Sequence, residues 1–270
     1  MTTITSSTAT APVRGRLTAA GIVRSEWIKL RTLRSTFWTI GIAMAVTVGF
    51  GALMASLATG DLSVIDTSDE ALGLANMATI GIQFSQLVFA VLGVLVITGE
   101  YATGMIRSTL TAVPRRLGAL FAKALVLFVV TFVASAVASV LAFFAATALL
   151  AGEGVSASLL DPTVMSMILG SSLYLGMLAL FALGVGTMLR SSAGGIATVL
   201  GIMLLLPTLL ILIPVEWVGE LAPYLITEAG VNMARPGFSD LEPWQNFLVL
   251  LAWVVVTIGG AALSLRRRDA

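Results

Sequence analysis

Two long stretches without a charged side chain constrain the fold more than any other feature of the sequence. Residues 71–99 and 124–152 contain no Asp, Glu, Lys or Arg. Each stretch is longer than the roughly 20 residues that cross a bilayer as an α-helix. The whole chain has 58% hydrophobic and 11% charged residues, which is more apolar surface than a water-soluble globule can bury. The sequence therefore predicts an all-α, polytopic membrane protein.

Hydropathy predicts six transmembrane helices. Their expected bounds are residues 37–58, 80–98, 124–151, 163–189, 195–213 and 244–265. Residues 1–16, which are rich in Thr, Ser and Ala, are expected to form a disordered tail, and residues 36–268 the six-span domain. Residues 214–243 mix acidic residues and prolines with Trp217 and Tyr224, so we expect short interfacial or re-entrant helices there.

Residues 17–35 have the pattern of an interfacial amphipathic helix. Val23, Trp27 and Leu30 recur at helical spacing, and the chain also carries basic residues on other faces of the helix. Glu26 and Lys29 stand three residues apart and can pair. The alternative is an ordinary basic flank that orients the first span.

The distribution of charge sets the expected topology. With both termini inside, every Lys and Arg except Arg235 lies on the cytoplasmic side, as the positive-inside rule requires. The acidic residues lie outside, apart from Glu26, Glu100 and Asp269. The inverted orientation would translocate almost every basic residue and is rejected. Residues 214–243 are then extracellular.

Several kinds of chemistry are not expected. The chain has no Cys and no His, which removes disulfides, thiol nucleophiles, Cys/His metal sites and histidine acid–base catalysis. Neither lysine follows a glycine, so there is no P-loop for ATP. No ionisable side chain lies inside a predicted span, which argues against an intramembrane protease and weakens the case for a secondary transporter. We therefore predict no catalytic, cofactor-binding or metal-binding residue.

A polar and basic island, residues 99–116 (GEYATGMIRSTLTAVPRR), separates the second and third spans. Gly104 and Pro114 bracket a predicted short helix over residues 105–112. Such a helix can offer apolar anchors and oriented charges to a partner protein. The alternative is that its arginines only bind lipid headgroups and enforce topology.

Two further patterns have open interpretations. Gln83 and Gln86 lie near the start of the second span, where amides form hydrogen bonds between helices or line a substrate path. Gly41, Ala45 and Gly49 recur every four residues in the first span. This small-residue stripe allows close helix packing, either within one subunit or at a dimer seam.

Taken together, these motifs resemble the permease subunit of type-2 ABC exporters, in particular the six-span form common in actinobacteria. The resemblance covers about residues 23–268. It is carried by SEWIKLRTLRSTFW before the first span, by EYxxG followed by RSTL and PRR in the island, by Lys123 before the third span, and by the proline-broken segment before the sixth. Met105 departs from the Thr that many members have after the glycine.

The resemblance implies that the island is a coupling helix held by a separate ATP-binding subunit, with the N-terminal helix at the same cytoplasmic interface. It assigns ATPase contact to Glu26, Lys29, Glu100, Tyr101, Gly104, Met105, Arg107, Ser108, Leu110, Arg115 and Arg116. ATP and Mg would bind to two copies of the ATPase subunit and not to this chain. Other expected partners are a second permease copy, identical or related, and membrane lipid, but not nucleic acid.

The resemblance implies export across the bacterial cytoplasmic membrane by alternating access, and the charge-free interior of the predicted spans favours an apolar or amphiphilic substrate. The chain itself is then a transport subunit and not an enzyme. Two alternatives stay open on the residues alone: a stand-alone secondary transporter or channel, and a membrane anchor or immunity protein that moves nothing.

Overall fold

The computed structural model describes residues 18–60, 69–106, 116–213, 215–235 and 241–267, and all regular secondary structure in these residues is helical. The helices are α1 (Ala19–Thr32), α2 (Arg34–Ala58), α3 (Glu70–Ile80), α4 (Ile82–Ala102), α5 (Arg116–Leu150), α6 (Pro162–Leu189), α7 (Ser192–Leu200), α8 (Leu206–Leu212), α9 (Glu216–Gly219), α10 (Ile226–Ala234) and α11 (Pro243–Arg267). A π-helical turn, Gly201–Leu205, joins α7 to α8. The predicted tail, residues 1–16, lies outside the described residues.

Six helical segments in the described part of the chain are long and apolar enough to cross a membrane. They are Arg34–Ala58, Glu70–Ala102, Leu117–Glu153, Pro162–Leu189, Ser192–Leu212 and Pro243–Arg267. The prediction of an all-α membrane protein with six transmembrane helices is confirmed.

The second span differs from its predicted bounds because helix α3 precedes it. We expected the span to begin near residue 80, but the helix begins at Glu70, where the Asp69 side chain accepts a hydrogen bond of 3.0 Å from the Leu72 backbone N–H. Residues of α3 such as Leu74 and Ala78 are fully buried in a hydrophobic cluster shared with α5. Tertiary packing therefore extends the helix beyond the residues that hydropathy alone assigns to it.

Gly81 interrupts this span at the point where α2 crosses it. A Cβ atom built at Gly81 would lie 2.5 Å from the Thr47 carbonyl oxygen of α2. Only glycine permits backbones to approach this closely, as in other membrane helix pairs.

Helix α6 lies at the centre of the bundle. Of the residues in its most apolar stretch, 78% are buried inside the protein. The corresponding fraction is 22% for α2 and 17% for the α7–α8 segment. It packs against α4, α5, α10 and α11. Asp161 caps its start by accepting a 2.8 Å hydrogen bond from the Thr163 N–H, with Pro162 in the first turn. Two helices that meet at the site described below, α4 and α5, therefore pack against α6.

The segment before the last span forms short helices, and none of those described is a candidate span. Helix α10 is mostly buried and packs between α6 and α11. Gly230 of α10 lies directly on the ring of Tyr174, which is about 18 Å along α6 from its first residue. The segment thus extends deep into the bundle, in keeping with the predicted re-entrant arrangement.

Candidate functional site

Four charged side chains from three helices form a closed ring of ion pairs. Glu26 and Lys29 come from α1, Glu100 from the end of α4, and Lys123 from the start of α5. The Lys29 ammonium lies 2.8 Å from Glu26 Oε1 and 3.0 Å from Glu100 Oε1. The Lys123 ammonium lies 2.5 Å from Glu26 Oε2 and 2.8 Å from Glu100 Oε1. We call these four residues the charge ring.

The charge ring is almost entirely shielded from solvent. Glu26 is 2% exposed, Lys123 4% and Glu100 7%, while Lys29 lies at the edge. Two positive and two negative charges alternate around it, so the group is formally neutral. Buried charges are tolerated only when paired, and removing one partner of a buried pair costs about 3–5 kcal/mol. The ring therefore holds α1, α4 and α5 in one arrangement.

Lys29 is charged in this setting. Burial lowers the pKa of Lys29, but its hydrogen bonds to Glu26 and Glu100 and the charges of these carboxylates outweigh burial and raise the pKa above its ordinary value of 10.5. A raised lysine pKa contributes stability that is present in full below 10.5 and is lost as pH rises through the folded-state value. Lys29 thus keeps its positive charge throughout the physiological pH range.

Local sequence places α1 against the bundle. Thr18 caps the helix by accepting a 3.1 Å hydrogen bond from the Gly21 N–H. Glu26 and Leu30, one turn apart, are the buried residues of α1, and the helix packs mainly against α5. Arg24 and Arg31 on other faces are exposed. The apolar and acidic face is therefore turned inward, and basic residues remain at the surface.

The end of α4 is tied to further helices beside the ring. The Arg190 guanidinium carbon lies 5.3 Å from the centre of the Tyr101 ring, a cation–π contact across the end of α6. The Ser192 hydroxyl lies 2.8 Å from that of Thr98 and links the start of α7 to α4. The last turn of α4 thus contacts α1, α5, α6 and α7 through polar groups.

The polypeptide leaves this junction through a glycine turn. Helix α4 ends at Ala102, and Gly104 adopts the left-handed conformation with φ of 71°, which favours glycine after a helix. The backbone is helical again at Met105 and Ile106, the last described residues before the gap. A cavity of about 260 Å³ lies between α1 and α4 and is lined by all four ring residues and by Met105. The island therefore contributes Glu100 to the charge ring and Met105 to the cavity beside it.

The structure brings only some of the predicted contact residues together. Glu26, Lys29 and Glu100 join the charge ring, and Tyr101 packs inward beneath Arg190. Gly104 and Met105 are exposed just beyond α4. Arg107, Ser108, Leu110 and Arg115 lie outside the described residues, and Arg116 is described only as the first residue of α5. Because Glu100 is buried inside the chain, reversing its charge would disturb the fold as well as any docking surface.

Lys123 is the ring residue that sequence reasoning did not place in the site. The expectation that no ionisable side chain lies inside a span needs correction, because the helices are longer than the predicted spans. Glu100 and Lys123 both fall within span segments, Glu70–Ala102 and Leu117–Glu153. The signal for Lys123 in the sequence was a single lysine in an otherwise apolar helix. A buried lysine in such a helix requires a carboxylate partner.

The two glutamines lie elsewhere in the bundle. Gln86 of α4 is buried and accepts a hydrogen bond from the Tyr174 hydroxyl of α6, and its amide donates a 2.9 Å hydrogen bond to the Gln83 carbonyl. The bond to Tyr174 joins two helices, which corresponds to the interpretation of helix-to-helix hydrogen bonding, whereas the bond to Gln83 lies within α4. A role for Gln83 and Gln86 in a substrate path stays a prediction.

The small-residue stripe of α2 faces away from the bundle. Gly41, Ala45 and Gly49 are all exposed. In the part of the chain that the structure describes, a Cβ atom at Gly41 or Gly49 would meet nothing within 4 Å. Among the described residues, therefore, nothing packs against Gly41 or Gly49, and a role of the stripe at a dimer seam stays a prediction.

Six apolar spans with a charge-paired N-terminal helix define a polytopic helical membrane protein whose helices are joined at one end by buried ion pairs. A protein-family model described as "ABC-2 family transporter protein" matches residues 22–204, which is more than half of the 270-residue chain and includes all four ring residues. The chain belongs to this family. A comparison with curated proteins found no match.

Family membership gives the general function. The chain is a membrane-spanning permease subunit of an ABC transporter, and such a subunit works with an ATP-binding partner. This confirms the resemblance noted from the sequence motifs.

Proposed function

We propose that this permease exports an apolar or amphiphilic compound across the bacterial cytoplasmic membrane by alternating access. Two copies of a separate ATPase subunit would bind ATP and Mg, and two permease copies, identical or related, would surround the translocation path. The absence of ionisable groups from the middle of the predicted spans favours a cargo without a formal charge at that depth.

The charge ring is the observation that carries the coupling part of this proposal. Glu100 is the second residue of the island, and it is joined through ion pairs to α1 and α5. A force applied to the island would therefore act first on the end of α4 and then on the helices tied to it. Ion-paired helices move together, because separating them would leave buried charges without partners.

Co-purification tests the subunit assignment. A tagged chain isolated from native membranes in mild detergent should carry a P-loop ATPase, and the complex should hydrolyse ATP while the isolated chain does not. Arg107→Glu in the island should reduce the amount of co-purified ATPase, whereas the exposed Arg24→Glu should not, because rim charges contribute little to affinity. Recovery of the chain without any ATPase, or equal recovery in both variants, would contradict the assignment.

The same preparation tests whether the α2 stripe is a dimer seam. Replacing Gly41, Ala45 and Gly49 together with Leu adds bulk on a face that packs against nothing else described in the chain. If the stripe is the seam, the variants should insert normally but lose the second permease copy. Unchanged stoichiometry would show that the seam lies elsewhere.

Topology is a separate prediction. We expect both termini in the cytoplasm and residues 214–243 outside, because this arrangement keeps nearly all basic residues inside. Single substitutions Asp66→Cys, Ser156→Cys and Ser239→Cys should react with an impermeant thiol reagent in intact cells, whereas Ser108→Cys should react only after the membrane is broken. The chain contains no natural cysteine to interfere. The reverse labelling pattern would invert the orientation.

A further inference from the structure

A second cavity contains none of the four ring residues and has a different character. It is a groove of about 380 Å³ between α5 and α11, with Leu180 of α6 as part of its lining. All of its lining residues are apolar, among them Phe121, Val255 and Ala262. Its volume falls in the range of about 300–1,000 Å³ that is usual for small-molecule sites.

The groove is open to the outside of the bundle because one lining residue is a glycine and two others are exposed. Gly259 of α11 lines it, and a Cβ atom at this position would meet no described atom within 4 Å. Phe121 and Val255 on the two facing helices are exposed. The groove is thus accessible from the side of the bundle, where lipid chains would surround the protein.

A cationic residue, Arg266, follows the last lining residue, Ala262, by about one turn of α11. Val255, Gly259, Ala262 and Arg266 are spaced four, three and four residues apart, which places them along one face of α11. Arg266 lies in the last turn of the helix and is exposed. Along this face of α11, apolar residues are therefore followed within one helical turn by a positively charged residue.

We propose that this groove binds an anionic phospholipid, with an acyl chain between α5 and α11 and the phosphate beside Arg266. Basic residues at the end of an apolar groove between membrane helices match the chemistry of such a lipid, a negative headgroup joined to an alkyl chain. A second copy of the chain resting on the groove is the alternative that the test below distinguishes. This site is independent of the proposed export function.

The test uses the full-length chain in detergent, titrated separately with phosphatidylglycerol and phosphatidylcholine of identical acyl chains, and counts bound lipid by native mass spectrometry. We expect about a fivefold preference for phosphatidylglycerol, the effect of about one basic residue near a lipid headgroup. Arg266→Gln should bring the two affinities close together, whereas Arg24→Gln on exposed α1 should leave the preference unchanged.

A second pair of variants tests the groove itself. Gly259→Phe should fill it and reduce the binding of both lipids, whereas Val137→Phe, at an exposed position farther along α5, should not. Equal binding of the two lipids to the unmodified chain would overturn the proposal. Full lipid binding by Gly259→Phe would also overturn it. The same holds if Gly259→Phe loses the second permease copy but still binds lipid. If Gly259→Phe does not fold, the milder Arg266→Gln decides the question alone.

Discussion

Replacing Lys123 with methionine is expected to destabilise the protein by about 3–5 kcal/mol, because Glu26 and Glu100 would then share only Lys29 in a buried site. Methionine keeps most of the length of the side chain, so the lost charge is the main change. Thermal unfolding of the purified chain in detergent measures the effect. Arg24→Met removes an exposed charge from α1 and should shift the unfolding temperature little.

A double variant separates the charge effect from packing. Glu26→Gln combined with Lys123→Met removes one charge of each sign and leaves the Lys29–Glu100 pair, whose atoms lie 3.0 Å apart. We expect this double variant to be more stable than Lys123→Met alone, with a coupling energy of about 0.5–3 kcal/mol. Simple addition of the two single effects would show that the ring residues act independently.

The double variant also tests whether the ring transmits movement. If the ring joins α1 and α5 to α4 during transport, the double variant should keep its ATPase partner and hydrolyse ATP but export less. Wild-type export at normal stability would mean that the ring only supports the fold. The two possibilities differ in transport and not in unfolding, so both measurements are needed.

Gly230→Ala is expected to have the second large effect, because the new methyl group has no space. A Cβ atom at this position would lie 2.0 Å from a ring carbon of Tyr174. That ring is fully buried and its hydroxyl donates a hydrogen bond to Gln86, so it cannot easily move aside. Overpacking of this kind typically costs about 1–3 kcal/mol. Thermal unfolding in detergent should show the loss.

Gly259→Ala is the matched control, since it is also a glycine within a helix but has no neighbour within 4 Å. Alanine favours the helix there and should stabilise it by up to about 1 kcal/mol. In a Tyr174→Leu background the cost of Gly230→Ala should fall, because the clashing ring is gone. An equal cost in both backgrounds would show that α10 does not pack on Tyr174.

Much of the fold could be predicted because its signals are local. A helix in lipid satisfies its own backbone hydrogen bonds, so length and hydropathy suffice to find the six spans. The pairing of Glu26 with Lys29 was predictable for the same reason, since residues three apart on a helix are neighbours. The small-residue stripe of α2 was visible too, but not the fact that it faces outward.

The sequence by itself determined the class of protein, the number of spans and the position of the polar island next to the second span. Only the tertiary structure decided that Lys123 meets Glu26 and Glu100, that Tyr101 turns inward to Arg190, and that Gly230 lies on Tyr174. Lys123 and Glu26 are 97 residues apart in the chain. Hydropathy places each helix in the membrane without giving its neighbours or its rotation. Those are set by side-chain packing and by the high free-energy cost of leaving a buried charge unpaired.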